Sequence, residues 1–276
     1  MDFKEKRLFF RAGGARLYGE WHRRDGKEPV LVFLHEGLGS VAQWKDFPGL
    51  LCGKTGHMGF VFDRRGHGRS EALDLPRSLD YLHEEAHGTL PEVLESRGIR
   101  KPVLIGHSDG GTIALLYAAR FPENVTAVIT EAAHVFVENV SLEGIRKAVA
   151  LFKGTDLGKR LAAYHGDNTE GVFHGWADTW LDPRFRDWNM EKDLPGVLCP
   201  LLVIQGADDE YGTAAQVESI AGKSSGPAEA WVVPRCGHIP HHQAREAVLG
   251  RMAAFIAART GKDDGKDGCS DTGSPR

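Results

Sequence analysis

The feature that most constrains this chain is a series of short, almost wholly apolar runs rich in β-branched residues. Val30-Leu-Val-Phe-Leu34, Met58-Gly-Phe-Val-Phe62, Val103-Leu-Ile105, Val125 to Thr130 and Leu201-Leu-Val-Ile204 all have this texture. A strand with one wet face alternates polar and apolar residues, whereas a strand covered on both faces loses that alternation. Between the runs lie segments of helical periodicity: Leu79 to Ser96, Thr112 to Arg120, Ala214 to Ile220 and Arg245 to Ala258. Strands alternating with helices predict an α/β architecture of right-handed βαβ units, with a mostly parallel central sheet and helices on both faces. Trp231-Val-Val233 supplies a last strand. Lys6 to Arg11 and Arg16 to Arg24, hinged at Gly13-Gly14, predict an antiparallel pair at the start.

From His134 to Asp193 this rhythm stops. A connection of about 60 residues is too long for a plain loop and must carry its own structure. It reads as an inserted helical lid over the C-terminal edge of the sheet. The chain then divides into a core of residues 1–133 and 194–260, a lid of residues 134–193, and a tail of residues 261–276. That tail has no aliphatic or aromatic side chain and is expected to be disordered. Phe173, Trp176, Trp180, Phe185 and Trp188 give the lid something to bury, so most of them are expected in its own small core, with a substrate wall as the other use.

Composition narrows the partners. With 34 Lys+Arg against 38 Asp+Glu the formal net charge is −4, which offers no basic surface for nucleic acid or an acidic membrane. The four cysteines, Cys52, Cys199, Cys236 and Cys269, are scattered and form no CxxC pair, so neither a disulfide scaffold nor a zinc site is indicated. Met1 to Gly14 lacks the apolar run of a secretion signal, and no stretch approaches the ~18 apolar residues of a spanning helix. The compartment is expected to be cytoplasmic, without membrane insertion. Oligomeric state is not encoded in any of these features.

Gly106-His107-Ser108-Asp109-Gly110 matches G-x-S-x-G. The pattern alone is weak, because Gly222-Lys223-Ser224-Ser225-Gly226 matches it too. Context separates the copies: only the first follows an apolar run and opens directly into a helical segment, the strand-to-helix turn of a nucleophile elbow. A serine hydroxyl needs a positioned base that is itself oriented by a third group. His238, after the last strand, is placed to be that base; His241 and His242 nearby leave a metal cluster or solvated histidines as the other reading. The third group should be a carboxylate after Leu201 to Ile204. Asp209 is preferred, with Asp208 beside it and Glu131 at another strand end as alternatives.

These residues together resemble the α/β-hydrolase superfamily, in its lidded serine-esterase and peroxidase-like branch, over nearly the whole chain to about Thr260. The order Ser…Asp…His is that of the family. His35-Glu36-Gly37-Leu38-Gly39 sits where relatives carry a His-Gly-x turn, and the resemblance implies that the Gly37 and Asp109 N–H groups form an oxyanion hole. Asp63-Arg64-Arg65-Gly66-His67-Gly68-Arg69-Ser70 resembles a loop that is structural in relatives. Glu36 departs from the pattern by replacing a small glycine. An inward, ionised carboxylate there would oppose an oxyanion, so it is expected to turn aside to backbone or to Arg64 or Arg65.

The expected activity is that of a serine hydrolase, a carboxylesterase acting through an acyl-enzyme on Ser108, with no metal or organic cofactor and a small-molecule ester or acyl substrate. Glu36, His134, Tyr164 and Trp176 are candidate substrate-binding residues, and His165 is a second polar candidate in the lid. Other chemistries fit the same triad. A C–C bond hydrolase is one, and a methyl-ester esterase on an acyl carrier is another, for which Lys147, Lys153, Lys159 and Arg160 in the lid are suggestive. A cofactor-free peroxidase or oxygenase and a slow-turnover ligand receptor are readings of a different class.

Overall fold

The computed structural model describes residues 6–260, so the tail at 261–276 lies outside the described residues. Eight strands form one sheet: β1 (Arg7–Ala12), β2 (Ala15–His22), β3 (Lys27–Leu34), β4 (His57–Asp63), β5 (Val103–His107), β6 (Ala127–Glu131), β7 (Leu201–Gly206) and β8 (Ala228–Val233). Their order across the sheet is β1-β2-β4-β3-β5-β6-β7-β8. The pairs β1–β2 and β2–β4 are antiparallel, and every other neighbouring pair is parallel. Gly13 and Gly14 join β1 to β2 with φ of +58° and +69°, the left-handed backbone that a tight two-residue hairpin turn requires.

The helices are α1 (Phe47–Thr55), α2 (Tyr81–Glu84), α3 (Leu90–Arg97), α4 (Asp109–Arg120), α5 (Asn139–Gly154), α6 (Leu157–His165), α7 (Thr169–Leu181), α8 (Ala214–Lys223), α9 (Pro240–Gln243) and α10 (Arg245–Thr260). Successive residues of β3 point to opposite faces, and both faces are dry. Leu31 and Phe33 pack with Leu51 of α1 and Met252 and Phe255 of α10. Val30, Val32 and Leu34 join the core under α2, α3, α4 and α8. This double cover is why the strands read as continuous apolar runs.

Two expectations are corrected. The segment expected as one helix from Leu79 to Ser96 is α2 and α3 joined by a π-turn at Glu85–Thr89. Pro91 follows at once and has no N–H to donate, so a regular α ladder cannot run through it. The sequence reading also placed no helix at 47–55, where α1 lies. Between β6 and β7 the chain carries α5, α6 and α7 and contributes only an isolated bridge, Phe136 to Asn189, to β-structure. These helices pack against the open end of the parallel strands, where β5, β6 and β7 deliver their C-terminal loops.

Candidate active site

The turn from β5 into α4 is built by its glycines. A Cβ added to Gly106 would run into the Gly110 carbonyl, and one added to Gly110 would run into the Leu34 carbonyl. Ser108 between them has φ 51° and ψ −118°, a strained backbone for a residue with a side chain. Hydrogen bonds hold it there: its N–H donates to the Glu131 carbonyl (2.8 Å), and its own carbonyl accepts from the Gly111 N–H (2.8 Å) and the Thr112 N–H (3.1 Å). The N-terminus of α4 therefore points at the serine with its partial positive charge. The other G-x-S-x-G copy lies where α8 ends, with a helix before it instead of after it.

His238 follows β8 in a loop that crosses the same edge. Its Nδ1 lies 2.9 Å from Asp209 Oδ1 and 3.0 Å from Oδ2. The Asp209 carboxylate also accepts the Tyr211 N–H on Oδ1 (2.8 Å) and the Gln205 amide N–H on Oδ2 (2.6 Å). Burial resists the charge on Asp209, but the His238 contact and these donors hold its carboxyl below the ordinary range. Burial likewise resists a charged His238, yet the hydrogen bond and charge of Asp209, with the charges of Glu36 and Glu210, hold the imidazole above its ordinary value.

The two alternative carboxylates are elsewhere. Asp208 is exposed. Glu131 is buried within 2.5 Å of His241 Nδ1. Burial pushes the Glu131 carboxyl up to about 8 and His241 well below its ordinary value, so both shifts favour an uncharged pair. The three neighbouring histidines thus diverge, His238 to Asp209, His241 to Glu131 and His242 to the Gln43 carbonyl.

Ser108 and His238 line one cavity of about 200 Å³. Their side chains close no hydrogen bond to each other here, and such contacts commonly tighten only around substrate. Leu38, Ile145, Trp176 and Trp180 form the apolar walls, while Glu36, Asp109, His134, Ser141, Glu210 and Tyr211 supply polar groups. Gly37 lies between two lining residues with the Trp176 ring against it, and neither its N–H nor that of Asp109 finds a backbone acceptor among the described residues. His134 donates from Nε2 to the Tyr211 carbonyl (2.9 Å) and faces Trp180 edge-on. Tyr164 is brought to a neighbouring cleft, which it lines with Gln43, Lys45 and His242, and not to the Ser108 cavity.

Glu36 turns aside only in part. Its Oε2 accepts the Leu38 N–H at 2.7 Å, yet the side chain still lines both the Ser108 cavity and the neighbouring cleft. Arg64 meets the Glu36 and His35 carbonyls and not the carboxylate. The aromatic run of the insertion divides as well: Phe173 stacks on Phe152 with centroids 3.8 Å apart, and Phe185 stacks on Trp188, while Trp176 and Trp180 face the cavity. The sequence reading missed Gln205, Glu210, Tyr211, Ser141 and Ile145. Only Glu210 and Tyr211 carried a signal, their position in the turn that bears Asp209.

The sequence pattern of the alpha/beta hydrolase family matches residues 31–251. The chain belongs to that family. Among alpha/beta hydrolases, the bifunctional esterase/perhydrolase DCH of Acinetobacter calcoaceticus is 30% identical over 164 residues, which are 58% of this chain and 57% of that protein. The chain thus spans little more than half the length of that relative. A non-heme chloroperoxidase of Streptomyces lividans is 30% identical over 231 residues, 72% of this chain and 81% of the relative. The enol-lactonase of Burkholderia xenovorans shares the fold, with a TM-score of 0.69 at 20% identity over 91% of this chain and 100% of that one.

Proposed function

We propose that this alpha/beta hydrolase cleaves carboxylic esters through an acyl-enzyme on Ser108. The reading rests on one observation: a serine on a strained strand-to-helix turn shares its cavity with a histidine that a buried, fully hydrogen-bonded aspartate orients. Asp209 holds the Nδ1 proton and leaves Nε2 free to take the Ser108 proton as Oγ attacks the acyl carbon. The tetrahedral oxyanion is held by the Gly37 and Asp109 N–H groups, rigid donors already aimed at the charge that develops. His238 then gives its proton to the departing alkoxide, removes one from water, and the hydroxide releases the acid from Ser108. The three-helix insertion, residues 134–193, serves as the lid, with Trp176, Trp180 and Ile145 as its contribution to the walls.

Ser108→Ala is expected to abolish hydrolysis of a short p-nitrophenyl ester and labelling by a serine-directed phosphonate. Full activity in that variant would overturn the assignment. The perhydrolase and chloroperoxidase relatives favour a second use of the same acyl-enzyme, in which hydrogen peroxide replaces water and the product is a peracid. Peracid formed from ester and peroxide, and lost with Ser108→Ala, is the expected sign of it.

A further inference from the structure

We propose that Glu36 is a specificity-determining residue that selects esters carrying a cationic ammonium group within reach of the scissile carbonyl. The inference rests on the serine-hydrolase reading of the same cavity. The Glu36 carboxylate is fixed in place: Oε2 accepts the Leu38 N–H (2.7 Å), and Arg64 grips the Glu36 carbonyl from beneath (3.0 Å). Its side chain faces the cavity that holds Ser108. No lysine or arginine is among the described residues that line that cavity, and Glu36 is in no ion pair among them. Asp109 also lines it, but its charge is met by Arg64 at 3.8 Å and by the Tyr81 hydroxyl at 2.8 Å. The same cavity is also lined by aromatic rings, Trp176, Trp180 and Tyr211, surfaces that attract a cation through the ring quadrupole.

The placement has an energetic logic. Burial raises the Glu36 carboxyl, while the Leu38 N–H and the charges of His238 and Arg64 favour its ionised form; when ionised it repels the negative charge that develops on a carbonyl oxygen held at the Gly37 N–H. With an uncharged ester that repulsion is offset only by the His238 imidazolium formed in the same step and by Arg64. An ester with its own ammonium group brings the missing counter-charge, and the interaction changes sign where the field is least screened.

The experiment compares pairs of esters that differ in charge alone. Butyrylcholine and its isostere with tert-butyl in place of trimethylammonium test a cation on the alcohol side. The p-nitrophenyl esters of a trimethylammonio-alkanoic acid and of its tert-butyl counterpart test the acyl side. In at least one pair the wild type should favour the cationic member by about tenfold or more in kcat/KM. Glu36→Gln, whose amide oxygen can still accept the Leu38 N–H, should bring that ratio close to one and raise kcat for the uncharged ester. Should that variant fold poorly, competitive inhibition of uncharged-ester hydrolysis by tetramethylammonium ion in the wild type carries the same test. Equal rates within both pairs, a preference that survives Glu36→Gln, or no competition by tetramethylammonium overturns the proposal. Turnover that is independent of Ser108 overturns instead the reading beneath it.

Discussion

Asp209 shows how much one side chain can settle. Its two oxygens serve His238, Gln205 and the Tyr211 N–H together, so the carboxylate can neither rotate nor find a better partner. Asparagine there would offer an N–H to a ring nitrogen that must itself donate, and the imidazole would change tautomer. Asp209→Asn is expected to lower kcat by about 10³–10⁴-fold with little change in KM. The pH profile follows from the direction of the His238 shift. The groups facing the ring are Asp209, Glu36 and Glu210, with His107, His134 and Tyr211 packed beside it. The carboxylates hold the imidazolium above its ordinary 6.5, and His238 in its proposed role as base works only when neutral. The acid limb of kcat/KM should therefore lie above 6.5 and move to lower pH in Glu36→Gln; a limb below 6.5 in the wild type would contradict this. The sequence made Asp209 legible because the spacing from Gly206 placed it in the turn. Gln205 was not legible, since nothing local marks an amide as a partner of that carboxylate, and for Tyr211 only its place in the turn gave a hint.

The strand–turn–helix from Val103 to Arg120 carries a sharper test of how the fold makes the site. Gly110 packs against the backbone of β3, and a backbone in mid-sheet cannot retreat as a side chain can. Gly110→Ala is expected to destabilise the protein by about 2–3 kcal/mol in urea unfolding, and to cost more activity than stability because Ser108 moves with the turn. The elements most visible in the sequence were those whose environment is uniform: strands covered on both sides, and amphipathic helices lying on them. The helix α1 escaped notice because FPGLLCGKT has a proline and two glycines and no apolar stripe. Its stability comes from packing Phe47, Leu51 and Cys52 against the sheet and α10, which is a tertiary fact. The π-turn before Pro91 was likewise hidden, since periodicity does not report a ladder interrupted for one turn.

Across the whole molecule, the insertion is tied to the core at two loops that no local pattern connects. His165, at the end of α6, accepts the Gly68 N–H on Nδ1 (2.9 Å) and donates from Nε2 to the Leu38 carbonyl (2.9 Å). Asn168 donates to the Ser70 carbonyl (2.8 Å). Tyr164 and His165 were both singled out as polar candidates, but partners about 100 residues away in the chain decide between them. One imidazole spans the loop that carries Glu36 and the loop that carries Arg69.

That arrangement works only for a ring with a single proton. A second proton on Nδ1 would set donor against donor at Gly68, and burial already holds the His165 pKa below its ordinary value. The contribution to stability is thus complete above about 6.5 and fades as pH falls through the depressed value. Mild acid should loosen the seam between insertion and core before it melts the sheet. The sign of it would be lower protection factors for the Gly68 amide and α6 at pH 5 than at pH 7, each exchange rate being corrected for its intrinsic pH dependence, with those of the strands unchanged, and a His165→Ala variant should show the lower protection at both. The loop that carries Glu36 is riveted to the insertion by an imidazole, and a rivet of that kind can be drawn by acid alone.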